Sequence, residues 1–286
     1  ASDVHKVPAS IIDMNSARLQ NTLQSYRIMV DRVEAIPGPT VTLYKVFLAE
    51  GMKSASVKNV EDDIAMALNV KSVRVVRLLD SMGIEVPNDE RSIVPLKSML
   101  DSPAFRKSKA ELPVALGYTI TQDVIVFDLA DAPHLLVAGA TKQGKSVCLN
   151  VIVSSLLYSK HPSELKFVFV DPKKVEFSTY RKLLHHYLAT IPGAANAEEE
   201  AERIIVNDQS LADATLRSLC IEMDNRYTLF SKAGVNQIKA YNEKYRHRYL
   251  LPTEGHHFLP YLVVIIDEYA DLIMSVDGPE AKARSL

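Results

Sequence analysis

His134-Leu-Leu-Val-Ala-Gly-Ala-Thr-Lys-Gln-Gly-Lys-Ser-Val-Cys-Leu-Asn150 is the stretch whose reading decides the fold. Within it, Gly139-Ala140-Thr141-Lys142-Gln143-Gly144-Lys145-Ser146 satisfies the phosphate-loop pattern G-x-x-x-x-G-K-[ST] at every fixed position. Each fixed residue has a chemical reason. Gly139 and Gly144 permit a tight turn, so that backbone N–H groups from Gly139 to Val147 can curl around phosphate oxygens. Lys145 offers a cation to the β/γ-phosphates, and Ser146 offers a hydroxyl to Mg²⁺. The flanks suit the motif: His134–Ala138 reads as a short buried strand, and Val147–Tyr158 as a helix packed on both sides. Strand, loop and helix in that order point a helix N-terminus at the phosphates, so the expected ligand is a nucleoside triphosphate with Mg²⁺.

The second half of such a site is expected at another strand end. Tyr261-Leu-Val-Val-Ile-Ile-Asp267-Glu268 is an apolar run closed by two acids. At the carboxyl edge of a nucleotide-binding sheet, Asp267 would hold the Mg²⁺ shell and Glu268 would orient a water. Asp171 also closes an apolar strand, Leu165–Val170, and the sequence leaves two roles open for it: a site carboxylate or a cap on the turn that follows. His185-His186 and His256-His257 have no carboxylate or cysteine partner at metal spacing, and they read as surface or core residues.

Composition sets the class. The 286 residues are 47% hydrophobic and 24% charged, as in an ordinary folded domain, and no apolar run is long enough to cross a membrane. The first ten residues lack the ordered regions of a signal peptide. Cys148 and Cys220 lie in apolar helical patterns without metal spacing, so core thiols in a reducing cytoplasm are expected. With 33 basic and 35 acidic residues the net charge is −2, so there is no basic coat for nucleic acid, although a few cations on loops of an oligomer would suffice.

Along the chain the pattern changes once. Helix over Ile11–Leu23, strands over Ser25–Val33 and Thr40–Leu48, helix over Val57–Leu68, a strand pair at Val73–Arg77 and Gly83–Pro87 and a short helix at Pro95–Asp101 make a small α/β unit. The polar, proline-containing Asp101–Pro113 marks a boundary near residue 108, giving expected domains 1–108 and 109–286. Beyond it, apolar strands alternate with longer helices, including Ser210–Lys232 with Gly234 as its C-terminal cap, and a parallel α/β sheet is predicted.

These motifs together resemble the motor portion of the FtsK/SpoIIIE family of DNA translocases. The resemblance runs in order through Gly38-Pro-Thr-Val-Thr, Gly83-Ile-Glu-Val-Pro-Asn88, Pro133–Gly139, Val170-Asp-Pro-Lys-Lys-Val-Glu176, Glu222-Met-Asp-Asn-Arg-Tyr227 and Val264–Met274. It implies the family's α subdomain followed by a RecA-like P-loop NTPase sheet, the β subdomain. It also implies ATP hydrolysis, a hexameric ring around double-stranded DNA, and action in chromosome segregation and cell division. The motor would be cytoplasmic, tethered to the inner membrane through segments absent from this chain. Lys145, Asp267 and Glu268 take catalytic roles by this likeness. Lys282 and Arg284 fall where the family places a loop facing DNA, so they are candidate phosphate contacts beside the plainer reading of a solvated surface.

Two features depart from the family. Lys142 stands where a glycine is usual, which would cost about 1 kcal/mol if the backbone there needs positive φ, or would add charge near the γ-phosphate. The chain also stops soon after Asp267, before the family's sensor stretch, arginine finger and DNA-reading C-terminal unit. A related secretion or conjugation ATPase, or a nucleotide-binding oligomerisation fragment without turnover of its own, are the alternatives.

Overall fold

The computed structural model describes residues 7–90, 92–139, 144–190 and 194–270. The α/β class expected from the sequence is what is found, in two compact units, residues 1–129 and 130–286.

The first unit is built from local pairings. Helix α1 (Ala9–Ser25) leads into strands β1 (Val30–Pro37) and β2 (Val41–Leu48). Helices α2 (Ser54–Lys58) and α3 (Glu61–Ala67) follow, then β3 (Arg74–Arg77) and β4 (Met82–Pro87). The four strands form an antiparallel sheet in the order β1-β2-β4-β3. Leu19 and Leu23 of α1 and Ile64 of α3 pack on Tyr44, Val46 and Ile84 of the sheet. The turn at Gly38 needs glycine, because a Cβ there would stand 2.5 Å from the Val41 carbonyl oxygen. The single helix expected over Val57–Leu68 is two. Glu61, Asp62 and Asp63 fill the first turn of α3, where acids suit a helix start, and a Glu61 carboxylate oxygen also accepts the Val75 N–H at 3.1 Å.

Short helices α4 (Leu96–Leu100) and α5 (Pro103–Arg106) precede a hairpin of β5 (Pro113–Tyr118) and β6 (Val124–Asp128). Met99, Leu100, Phe105 and Ala115 close a small core between them, so this hairpin belongs to the first unit by its contacts.

In the second unit, α6 (Lys145–Ser159) is followed by β7 (Leu165–Val170), α7 (Ala197–Arg203), β8 (Ile205–Val206), α8 (Gln209–Ala233), α9 (Ile238–Arg246) and β9 (Tyr261–Ile266). The three strands make a parallel sheet in the order β8-β7-β9. Central β7 is buried along nearly its whole length, as a strand covered on both faces should be. Phe169 is fully buried, with ring centroids 4.8 Å from Phe177 and 5.2 Å from Tyr180. Gly234 caps α8 with φ of 64°, as its position after the periodic run predicts.

Three expectations are corrected. His134–Ala138 is not a buried strand: it pairs with none of the described strands, and Leu135 and Leu136 are 47% and 81% exposed. Its apolar content fits a sheet interior, but burial requires a neighbouring strand. Helix α6 is covered on one side only. Leu149, Ile152, Val153 and Leu156 are buried, whereas Val147 and Tyr158 are exposed. Cys220 is an exposed thiol on α8 and not a core residue, while partly buried Cys148 has its thiol pKa raised by desolvation.

Candidate functional site

Parallel pairing creates the site's frame. The β7–β9 register sets Val170 opposite Ile266, so Asp171 and Asp267 leave the sheet side by side at the same edge. Main-chain bonds hold both: the Asp171 N–H donates to the Val206 carbonyl at 2.8 Å, and the Asp267 N–H to the Val170 carbonyl at 3.0 Å. Asp171 is fully buried and Asp267 is 9% exposed.

Helix α6 enters at this edge. Gly144 precedes it with φ of 97°, and nothing lies within 4 Å of where a Cβ would stand. Its carbonyl accepts the Cys148 N–H at 2.8 Å, closing the first helical turn. From the next position, Lys145 reaches across 122 positions of sequence to donate to the Asp267 main-chain oxygen at 2.8 Å. The same ammonium lies 2.9 Å from Asp267 Oδ1 and 3.8 Å from Glu268 Oε2. The contact with Asp267 Oδ1 is an ion pair out of line for a hydrogen bond. Lys173, on the turn after β7, brings a second ammonium to 3.6 Å from Glu268 Oε2. Lys145, Asp267 and Glu268 are thus brought together.

Ser146 is paired differently. Its hydroxyl donates to Glu176 Oε1 at 2.6 Å. Glu176 is placed by Asp171, whose Oδ2 accepts the N–H groups of Glu176 at 3.0 Å and Phe177 at 3.1 Å. Asp171 therefore caps the loop that follows β7, one of the two roles open to it in the sequence. Its other oxygen, Oδ1, is buried without a hydrogen-bond partner among the described residues. Tyr180 ties the same segment to α6 by donating to Asn150 Oδ1 at 2.6 Å, and burial pushes its phenol pKa up.

Val147 presents an exposed side chain, so any part it takes in the cradle falls to its backbone. Gly139 is exposed at the start of the loop. Ala140, Thr141, Lys142 and Gln143 lie outside the described residues, as do Lys282 and Arg284. Sequence reasoning gave no site role to Lys173 or Glu176, although both lie in the quoted Asp171–Glu176 run. The available signal was their position, directly after a strand that ends in an acid.

Comparison with known proteins divides the chain earlier than the compact units do, between residues 88 and 95 and not after residue 129. A model of the FtsK/SpoIIIE family matches residues 95–285, and one of the FtsK alpha domain matches residues 2–88. The chain belongs to the FtsK/SpoIIIE family. Among its relatives, DNA translocase FtsK of Chlorobaculum tepidum is 40% identical over 263 residues, covering 90% of this chain and 31% of that protein. DNA translocase SftA of Bacillus subtilis is 39% identical over 274 residues, covering 93% and 26%. The chain thus spans about a quarter to a third of the length of these relatives. A solved structure of the pCW3 conjugation coupling protein TcpA, a monomer form with ATPγS, is 21% identical with a TM-score of 0.48, over 95% of this chain and 70% of that one.

An ammonium, a hydroxyl and the carboxylates of Glu176, Asp267 and Glu268 lie at the open start of a helix, and Asp171 holds the loop that carries Glu176. That donor set fits a polyphosphate carried with a hard divalent cation: the ammonium and helix N–H groups suit the anion, and the oxygen ligands suit Mg²⁺. The buried Oδ1 atoms of Asp171 and Asp267, without hydrogen-bond partners among the described residues, agree with a site whose polar complement is completed by a ligand.

Proposed function

We propose that this chain is the ATP-hydrolysing motor portion of a double-stranded DNA translocase acting in chromosome segregation and cell division. One observation carries the reading. Lys145, first residue of the helix after the phosphate-loop sequence, reaches the acid that ends β9 at 2.8 and 2.9 Å. Two motifs remote in sequence converge as phosphoryl-transfer chemistry requires. Residues 1–108 would be the family's α subdomain and 109–286 its RecA-like unit, although the β5–β6 hairpin has its contacts with the first unit.

In this reading, Gly139–Val147 offer backbone N–H groups to the phosphates, and Lys145 exchanges its carboxylate partner for the β/γ-phosphate oxygens. Ser146 and Asp267 would hold Mg²⁺, which when bound neutralises charge across the β- and γ-phosphates. Glu268 would orient the attacking water, with the Lys145 and Lys173 ammonium groups 3.8 and 3.6 Å from its Oε2. Positioning and charge neutralisation account for most of the acceleration. Relatives named DNA translocases support DNA as the substrate of movement. That the DNA is duplex, that the working form is a hexameric ring, and that the motor is cytoplasmic and tethered at the inner membrane belong to the proposal. Among the described residues no helix is long and apolar enough to cross a membrane. Lys282 and Arg284 are the proposed contacts to duplex phosphates.

The test is phosphate release from ATP with and without long duplex DNA, beside a Lys145→Ala control. Stimulation by DNA that disappears in the control is the expected result. ATP bound without release in either condition would favour a nucleotide-binding oligomerisation fragment, and no binding of ATP would overturn the reading.

A further inference from the structure

The partner of Ser146 is unexpected. Asp267, the acid expected to share a cation with this serine, is engaged by Lys145, whereas the Ser146 hydroxyl donates to Glu176. We infer that Glu176 is a positioning residue for the Ser146 hydroxyl, fixing its proton so that its lone pairs face the cation. This rests on the reading of Ser146 as a magnesium contact.

A serine hydroxyl has one proton and two lone pairs. A cation takes a lone pair and repels the proton, so the oxygen is a good ligand only when its O–H is directed elsewhere. Glu176 Oε1 at 2.6 Å is a charge-assisted acceptor of the required strength. It fixes the rotor and returns electron density to the oxygen, as outer carboxylates do for other metal ligands.

An acceptor is useful for positioning only if it is itself held, and Glu176 is. The segment from Asp171 to Tyr180 is anchored at both ends. At one end Asp171, fully buried at the sheet edge, accepts the Glu176 and Phe177 N–H groups. At the other, Phe177 packs on Phe169 and Tyr180 donates to Asn150 on the same helix as Ser146. The bond from Ser146 to Glu176 therefore joins the start of α6 to the β7 edge through a buried carboxylate. A buried polar group is costly to leave unpaired, and Asp171 keeps one oxygen without a hydrogen-bond partner among the described residues while its other oxygen orders this loop.

The test is ATPγS binding by calorimetry across a Mg²⁺ titration, for the parent chain, Glu176→Gln and Glu176→Ala. In Glu176→Ala the Mg²⁺ concentration giving half of the affinity gain is expected to rise about 10–100-fold, with affinity in EDTA unchanged. Glu176→Gln keeps an acceptor without charge and is expected to shift less in the same direction; it decides the matter if the alanine variant does not fold. A Mg²⁺ titration like the parent's in these variants would overturn the inference. So would equal loss of affinity with and without Mg²⁺, which is the mark of a loop anchor only. If Mg²⁺ does not strengthen ATPγS binding by the parent, the functional reading falls and this inference with it.

Discussion

The antiparallel sheet of the first unit and the parallel sheet of the second place their chemistry differently. In the order β1-β2-β4-β3, each strand runs against its neighbour, so the ends of adjacent strands lie at opposite edges. In the order β8-β7-β9 all strands run together, and the residues that follow β7 and β9 emerge side by side. That is why Asp171 and Asp267 meet at one edge within reach of α6. The first unit's charged contacts are of another kind. Arg32 with Glu34 and Lys45 with Asp80 pair across exposed surface, where such pairs contribute little. Strand direction, more than composition, separates a scaffold from a site.

The sharpest way to break this comparison is to remove the ring on which the parallel sheet packs. Phe169→Ala is expected to cost about 3–5 kcal/mol, read from urea unfolding, because the ring is fully buried between Phe177 and Tyr180. A loss below 1 kcal/mol would mean that the β7 edge is not rigidly packed. Leu23→Ala, in the antiparallel unit, is expected to cost about 2–5 kcal/mol by the same measurement, since Leu23 is fully buried among α1, α3 and the sheet. The two units would then be alike in core strength and different only in what their edges present.

A smaller effect is expected at the start of α8. Asp208 is its N-cap: its carboxylate accepts the Leu211 N–H at 2.9 Å and the Ser210 hydroxyl at 2.7 Å. The Leu211 N–H first, and then Ser210, hold its pKa below the ordinary value of 3.8. A depressed folded pKa means that the stabilisation is present above the ordinary carboxylate range and is lost as pH falls through the folded value. Asp208→Ala should therefore destabilise by about 1 kcal/mol near pH 7, with the gap to the parent closing in acid. A gap that is constant down to acid pH would contradict the assignment. The smallest effect belongs to Leu136→Ser. At 81% exposure it should change stability by less than about 0.5 kcal/mol, and a larger loss would restore the buried strand that the sequence suggests there.

Local features were the legible ones. The β3–β4 pair and the Gly234 cap follow from residues a few positions apart, and the phosphate-loop motif from eight consecutive ones. The acids at 267 and 268 were legible because an apolar run ends in them. The pairing of Lys145 with Asp267 could be anticipated only through what each residue does chemically, since 122 positions separate them. What composition could not reveal was cover. His134–Ala138 and Val147–Tyr158 are apolar enough for an interior, but a sequence states a side chain's preference without naming its neighbour. Glu176 escaped for a related reason: its role comes from a loop folded back by a buried aspartate, and no periodicity encodes such a return.

The most direct test of the account is equilibrium binding of ATP with Mg²⁺ to this chain, compared with Lys145→Ala and with Lys160→Ala, a lysine at the far end of the same helix. Saturable binding is expected for the parent, retained in Lys160→Ala and weakened about 100-fold in Lys145→Ala, the loss of one charge-assisted contact worth nearly 3 kcal/mol. Equal affinity in all three proteins would contradict it, because the convergence of α6 and β9 at Lys145 would then hold the fold together without holding a nucleotide.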